Sequence, residues 1–207
     1  MNPEIKTNEQ RENETNEIYS AIGEFIVEFE HICFAIQTSS IFILQKLGLK
    51  NQDVARLFVN KLTAGQLKDK FKDLVFLSKI FDTEELEMIK NILDRFQNLI
   101  ERRNEIIHST WFIGYPNSET NDYTTADNIK LYKEKDGFVA KAFTNKVSDF
   151  RKLTQEARTL SPIFSVISLP CIVEVESFSI KNLLIVKDGL ISLKEGIRFE
   201  RPYTDNP

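Results

Sequence analysis

The chain has 207 residues, of which 42% are hydrophobic, so it can bury one substantial core, and a second independent core is not expected. Its formal net charge of −4 argues against a protein that coats nucleic acid by bulk positive charge. Any contact with a polyanion must therefore be confined to a small surface.

Cysteine content and the N-terminal sequence bear on the cellular compartment. Cys33 and Cys171 are too few for a disulfide framework and lack metal-ligand spacing, so we interpret them as buried thiols in a reducing compartment. The polar residues 1–15 lack the apolar segment of a signal peptide. Charged residues interrupt the apolar runs well short of about 20 residues. We expect a cytoplasmic protein with a polar N-terminal tail and no membrane contact.

Helical periodicity dominates the first half of the chain. From about Asn16 to Leu47, apolar residues recur at helical spacing on nearly all sides, which predicts a central helix of a bundle, closed by Gly48. A short helix is expected at about 53–61. Capping-box patterns then predict two more helices, one beginning with "TAGQ" at 63–66 and ending near residue 80, the other beginning with "DTEE" at 82–85.

The second half of the sequence mixes strands with one helix. Alternating runs around Asp136-Gly137 predict a hairpin at 128–144, and a helix is expected from about Ser148 to Leu160, stopped near Pro162. After Pro170 the chain is rich in β-branched residues, with a second hairpin signal at Asp188-Gly189. The predicted fold class is mainly α, a helical bundle with an inserted β-hairpin and a small β-containing C-terminal extension. The predicted domains are a tail (1–15), a helical domain (16–168) and that extension (169–207).

An arginine continues the apolar stripe of the fourth predicted helix. The stripe steps by threes and fours through Leu86, Ile89, Leu93, Phe96 and Ile100 to Arg103 and Ile107. On this helix Asn104 and His108 share one edge, whereas Arg103 and His108 are separated by roughly 140°. Two copies packed about a two-fold axis could place Arg103 of one beside His108 of the other. We therefore expect a homodimer whose interface includes Phe96, Ile100, Arg103 and Ile107.

The segment "RNEIIH", from Arg103 to His108, resembles the Arg-x4-His signature of HEPN proteins in its Arg-Asn form. The following "STW" and the order of elements, over roughly residues 16–165, are similar to that superfamily as well. The resemblance implies a HEPN-like bundle and a homodimeric, metal-independent endoribonuclease that needs no cofactor. It further implies a role as a toxin or antiviral defence effector, with RNA as substrate and a protein antitoxin or regulator as a further partner.

Roles for the motif residues follow from the resemblance and from their chemistry. The 2′-hydroxyl of RNA is the nucleophile, so His108 would move the proton at neutral pH. Arg103 would grip the non-bridging phosphate oxygens and offset the charge of the transition state. Asn104 would orient His108 or a phosphate oxygen. Arg102 is an auxiliary phosphate contact or a solvated charge, and Trp111 anchors the helix end or stacks on a base.

Two questions stay open at the level of sequence. Glu24, Glu28 and His31 form a polar strip on the first helix, which is either a second shell of the cleft or a solvent-facing edge. Arg103 and His108 near a helix C-terminus also have a purely structural interpretation, because cations there interact favourably with the helix dipole. A HEPN-type dimer that binds RNA or nucleotide without cutting it is the third alternative.

Overall fold

Helices account for most of the described chain. The computed structural model describes residues 6–113, 123–134, 137–173, 178–187 and 190–197. The helices in these ranges are α1 (Asn8–Lys46), α2 (Gln52–Val59), α3 (Ala64–Ser78), α4 (Thr83–Ile107), α5 (Val147–Ile167) and α6 (Leu169–Ile172), followed by a 3-10 turn (Ile180–Asn182). The strands are β1 (Thr110–Ile113), β2 (Thr125–Glu134), β3 (Gly137–Lys146), β4 (Leu184–Lys187) and β5 (Leu190–Leu193). The predicted fold class, mainly helical with small hairpins and a β-containing C-terminal region, is confirmed.

Both predicted hairpins are present, and one strand was not predicted. Strands β2 and β3 pair antiparallel from Thr125 opposite Lys146 to Glu134 opposite Gly137, and β4 pairs with β5 in the same sense. Strand β1 adds to the edge of β2 and gives a three-stranded sheet in the order β1-β2-β3. Asp136 and the pair Asp188-Gly189, on which the hairpin predictions relied, lie outside the described residues.

Local capping explains where α3 and α4 begin and where α1 ends. The predicted capping box of α3 is formed by Thr63 and Gln66. Before α4, the Asp82 side chain accepts from the Glu85 backbone N–H, and the Glu85 side chain accepts in return from that of Asp82. Gly48 closes α1 with a φ of +103°, a left-handed conformation in which a side chain would be strained. These three sequence predictions are confirmed.

Two helix boundaries differ from prediction. Helix α1 begins at Asn8 rather than near Asn16, because Thr7 and Gln10 exchange backbone and side-chain hydrogen bonds in the manner of a capping box. Helix α5 continues through Pro162 to Ile167 instead of ending near Leu160. An interior proline costs about 3 kcal/mol, but each fully buried Leu, Ile or Phe side chain contributes about 1.5–3 kcal/mol. The buried set in this part of α5 is Leu160, Ile163, Phe164, Val166 and Ile167.

The chain divides into two compact units. Unit 1 is drawn from Met1–Glu30 and Asn98–Ala157, and unit 2 from His31–Gln97 and Arg158–Pro207. In unit 1 the Trp111 ring packs on that of Phe150 at 5.7 Å between centroids. Helices α1, α4 and α5 contribute residues to both units, so the division does not follow element boundaries.

An aromatic cluster centres the core of unit 2, and buried polar contacts attach the C-terminal segment to it. Phe164 packs edge-on against Phe71 and Phe96, each at 5.7 Å. The buried Glu85 carboxylate accepts from the Ser179 hydroxyl at 2.6 Å and from the Ile180 backbone N–H at 3.0 Å. The described part of the predicted extension is therefore integrated into unit 2. The domain boundaries at residues 15 and 168 stay predictions.

Among the described residues, one helix, α1, is long and apolar enough to span a membrane by length and composition. Half of its most apolar 18-residue window is buried inside the chain, and a core helix of a soluble protein meets the same criterion. Ile32 and Ile36, both in the middle of α1, are fully buried among the chain's own side chains. The expectation that the protein has no membrane span stays a prediction.

Candidate functional site

The motif residues lie at the C-terminal end of α4. Arg103 and Asn104 belong to the last two turns of the helix, and the backbone N–H of His108 donates to the Asn104 carbonyl at 3.2 Å. The chain then turns into β1, where the Trp111 indole N–H donates to the Ile106 carbonyl at 2.7 Å. That carbonyl is one of the four that a helix leaves without an intrahelical partner at its C-terminus. Trp111 thus anchors the helix end through this bond and its contact with Phe150.

Arg103 points towards α1 and is largely buried there. The exposed fraction of its side chain is 27%, and one Nη lies 3.5 Å from a carboxylate oxygen of Glu30. The guanidinium carbon lies 5.7 Å from the centroid of the buried Phe29 ring, and the other Nη donates to the Asn104 side-chain oxygen at 3.4 Å. Its Nε is buried without a hydrogen-bond partner in the described chain. Arg103 is therefore placed by contacts on both helices, with donor capacity left over.

His108 is exposed to solvent in the turn that follows the same helix. The residue is exposed, and its imidazole has no hydrogen-bond or ion-pair partner among the described residues. Nothing in the described chain therefore joins this ring to Arg103 or to the Asn104 side chain. The helical wheel predicted this separation, because the two positions differ by roughly 140°. One chain alone does not bring the arginine and histidine of the motif together.

Arg102 points to the opposite flank of α4, towards the sheet. Its two Nη atoms donate to the Glu105 carboxylate and, at 3.1 Å, to the buried Asn145 side-chain oxygen. The Asn145 amide donates to Asn128 at 3.4 Å, and Asn128 donates to the Ser109 hydroxyl at 3.0 Å. Ser109 donates to the Glu105 backbone carbonyl, which returns the chain of bonds to α4. This polar ring holds the turn after the motif on strands β2 and β3.

That geometry corrects one part of the predicted role of Arg102. A fully solvated charge is excluded, because two side chains from separate elements hold the guanidinium. The predicted contact with a phosphate stays a prediction, since 38% of the side chain remains exposed.

Asn145 and Asn128 were missed by sequence reasoning. Their buried positions on paired strands carry no signal in the sequence apart from being polar residues in a strand.

Beside Arg102, unit 1 has a surface groove of about 400 Å³, which we call the Arg102 groove. Its lining comes from the end of α4, from β3 and from the start of α5: Arg102, Phe143, Thr144, Asn145, Asp149, Lys152 and Leu153. The Asp149 carboxylate accepts from the Lys146 backbone N–H at 3.1 Å, and this bond holds its pKa below the usual range. The groove therefore presents two cations, one ionised carboxylate and the half-exposed ring of Phe143.

The predicted polar strip on α1 is not one continuous exposed edge. Glu28 is buried, whereas Glu24 and His31 are exposed. The residues that do contact the motif arginine are Phe29 and Glu30, which sequence reasoning did not select. Phe29 belongs to the apolar series of the helix and Glu30 is one of many acidic residues, so neither carried a distinguishing signal.

The predicted dimer interface also needs correction. Phe96 is 0% exposed and Ile100 is 5% exposed, so the chain's own core already covers both side chains. They cannot supply a surface to a second copy without unfolding. Ile107, at 42% exposure, is the apolar residue of the predicted set that remains accessible.

Other chemistries find little support in the described chain. Within the described ranges, no group of three His, Cys, Asp or Glu residues is placed to hold a metal ion. Burial raises the pKa of the Cys171 thiol to about 11, which keeps it protonated and disfavours nucleophilic chemistry there. Cys33 is a buried free thiol as predicted, whereas Cys171 is a free thiol that is only half-buried, so that part of the prediction is wrong.

The comparisons with known proteins give no relative: no protein-family model, curated protein or solved structure matches this chain. The resemblance to HEPN proteins therefore depends on the motif and on the order of the elements.

Proposed function

We propose that the protein is a metal-independent endoribonuclease of HEPN type, with Arg103, Asn104 and His108 as its catalytic residues. The observation that carries the proposal is the exposed imidazole of His108, without a partner in the described chain, in the turn directly after α4 and four residues past Asn104. A histidine that served only to pack would be buried, whereas one that served only the helix dipole would be as exposed as this one, so the two roles are separated by the cleavage assay. A solvent-facing imidazole at the end of a rigid helix is suited to proton transfer with a bound substrate.

The division of labour follows from the chemistry of RNA cleavage. Attack of the 2′-hydroxyl on the adjacent phosphorus forms a cyclic phosphate and breaks the bond to the 5′-oxygen. His108 would take the hydroxyl proton or return one to the leaving oxygen. The planar guanidinium of Arg103 would bind the non-bridging oxygens, whose negative charge grows in the transition state. No metal or cofactor enters this scheme.

The proposed site is shared between two copies, because one chain does not bring Arg103 and His108 together. Since Phe96 and Ile100 are internal, the proposed interface is smaller than the sequence predicted and centres on Ile107 at the end of α4. A two-fold axis there would set each His108 against the partner's copy of the motif helix. In this arrangement the protein acts in the cytoplasm as a toxin or antiviral defence effector, restrained by a protein antitoxin or regulator.

One observation favours a structural role for the motif arginine instead. Arg103 already has the Glu30 carboxylate and the Phe29 ring as neighbours, which are contacts that would stabilise the pairing of α1 with the end of α4. An isolated surface ion pair contributes about 0–1 kcal/mol, and a cation–π contact about 0.5–1 kcal/mol at an exposed site. The alternatives are thus a helical interaction module or a HEPN-like dimer that binds RNA or nucleotide without cutting it.

Incubation with labelled RNA in EDTA separates these functions. A metal-independent nuclease produces fragments that end in a 2′,3′-cyclic phosphate, and chelation does not slow it. A binder gives only a mobility shift, and an interaction module gives neither. Absence of cleavage over a broad range of RNA substrates and protein concentrations would remove the nuclease proposal.

A further inference from the structure

We propose that the Arg102 groove binds one nucleotide of single-stranded RNA, with Phe143 stacking on the base and Lys152 neutralising the neighbouring phosphate. This inference rests on the proposed function for its ligand, but it concerns the opposite flank of α4 from Arg103. The groove volume of about 400 Å³ is at the lower end of the roughly 300–1,000 Å³ typical of small-molecule sites. That volume suits one nucleotide.

The ring of Phe143 is the feature that indicates a base. It is 38% exposed on β3 and lies in the same groove as Arg102 and Lys152, which places an accessible ring beside two cations. Every nucleobase has a face that can stack on an aromatic ring, so one exposed ring accepts any sequence. Leu153, half-buried on α5, adds apolar surface at the same groove.

Lys152 is the cation that is free to change partners. Its side chain is 79% exposed, and its Nζ lies 3.5 Å from an oxygen of Asp149, which is an exposed ion pair of little net stability. A phosphate could therefore draw the ammonium away from Asp149 at small cost. The Asp149 carboxylate would still be held by the Lys146 backbone N–H at the start of α5. It would remain as an acceptor for the amino or imino hydrogens of a base.

Arg102 is the fixed cation of the groove. Asn145 is 6% exposed. Its side-chain oxygen accepts from Arg102 and its side-chain nitrogen donates to Asn128, so its role is to position the guanidinium rather than to contact the ligand. One Nη is also paired with the Glu105 carboxylate, so the guanidinium is fixed and partly neutralised, and the mobile Lys152 supplies the charge for the phosphate. The groove thus combines an aromatic ring, one fixed cation and one mobile cation.

The test measures binding and cleavage separately with the full-length protein. Affinity is measured by fluorescence anisotropy with a short single-stranded oligoribonucleotide whose 2′-hydroxyls are methylated, so that it cannot be cut. Cleavage is followed in parallel with the unmodified RNA.

Phe143→Leu should weaken binding about fivefold or more, and Phe143→Tyr should restore it, because tyrosine also stacks. Lys152→Gln should weaken binding and lower the slope of log affinity against log salt by about 0.7, the value for one phosphate contact on a single strand.

Matched controls come from α3, where Phe76 is 52% exposed and Lys72 is exposed. Phe76→Leu and Lys72→Gln should bind the oligonucleotide as the wild type does. If Phe143→Leu and Lys152→Gln match these controls while the wild type cuts RNA, the groove proposal fails and the nuclease proposal stands. If the wild type cuts nothing but its binding depends on Phe143 and Lys152, the groove stands and the nuclease fails. Absence of binding by the wild type overturns the groove proposal outright.

Discussion

Arg103 lies over the ring of Phe29, with 5.7 Å between the guanidinium carbon and the ring centroid. Phe29 is only 1% exposed, so the cation borders the core of unit 1 rather than open solvent. Glu30, the next residue on α1, approaches the same guanidinium at 3.5 Å. Two neighbouring residues of one helix therefore fix the position of the motif arginine. A catalytic and a structural role for Arg103 predict different effects of substitutions at Arg103 and Glu30.

The catalytic interpretation predicts that Arg103 is needed as a guanidinium, while Glu30 is dispensable. Arg103→Lys should lower the rate of RNA cleavage by about 100-fold or more, because lysine keeps the charge but loses the bidentate fork. Glu30→Gln should retain cleavage and change the free energy of unfolding by less than about 1 kcal/mol. Urea denaturation and a cleavage assay measure both. Equal stability losses in the two variants, with RNA cleavage unchanged in each, would assign Arg103 to structure alone.

His108→Ala should abolish cleavage and leave the melting temperature unchanged. Loss of a general acid or base typically lowers the rate by about 10²- to 10⁴-fold, whereas an exposed side chain without a partner in the described chain contributes little to stability. Lys72→Ala is the control, since Lys72 is exposed on α3 and belongs to no proposed site. Wild-type cleavage by His108→Ala would require abandoning the nuclease interpretation. If the site is shared between two copies, mixing the His108→Ala and Arg103→Ala variants should restore some activity, because a heterodimer combines an intact Arg103 from one chain with an intact His108 from the other.

The sequence predicted the motif helix, both hairpins and the capping signals because these depend on local pattern and spacing. It could not identify the neighbours of the motif, because Phe29, Glu30, Asn128 and Asn145 are brought to α4 by tertiary packing. The stripe that ends in Ile100 illustrates the same limit. Periodicity shows that a helix face is apolar, but it does not tell whether the chain's own core or a second copy covers that face.

The polar ring around Arg102 should be important for stability. Asn145→Ala would leave the buried Asn128 side-chain oxygen without its donor and one Nη of the partly exposed Arg102 without its acceptor. An unsatisfied buried polar group costs about 1–3 kcal/mol, and we expect a loss in that range by urea denaturation. Asn91→Ala, at an exposed position on α4, should change stability by less than about 0.5 kcal/mol. A loss no larger than that of the control would show that the ring is not maintained in solution.

Pro162 should be a site where stability can be gained. It lies inside α5, where it cannot donate to the carbonyl four residues earlier. Pro162→Ala restores a donor and a strong helix former, worth up to about 3 kcal/mol, offset by roughly 0.4–1 kcal/mol from the more flexible unfolded chain. We expect a net gain of about 1–2 kcal/mol. The neighbouring Ser161→Ala is the control, and a loss of stability on replacing the proline would indicate a bend in α5 that needs it.

Asp149 should make part of the stability depend on acid pH. The Lys146 backbone N–H holds the pKa of this carboxyl below the ordinary value of 3.8, and Lys152 lowers it further against the opposing effect of burial. A depressed folded pKa means that the stabilisation is complete above pH 3.8 and is lost as the pH falls through the lower folded value. The amount expected is roughly 0.3–1 kcal/mol, the range for a carboxylate at an exposed helix N-terminus. Asp149→Asn should therefore be less stable than the wild type at neutral pH and should converge with it as the pH falls below 3.8 in urea denaturation. Asp94→Asn, at an exposed position within α4, is the matched control. If the difference between Asp149→Asn and the wild type were the same at every pH, the carboxylate at the start of α5 would contribute nothing through its charge.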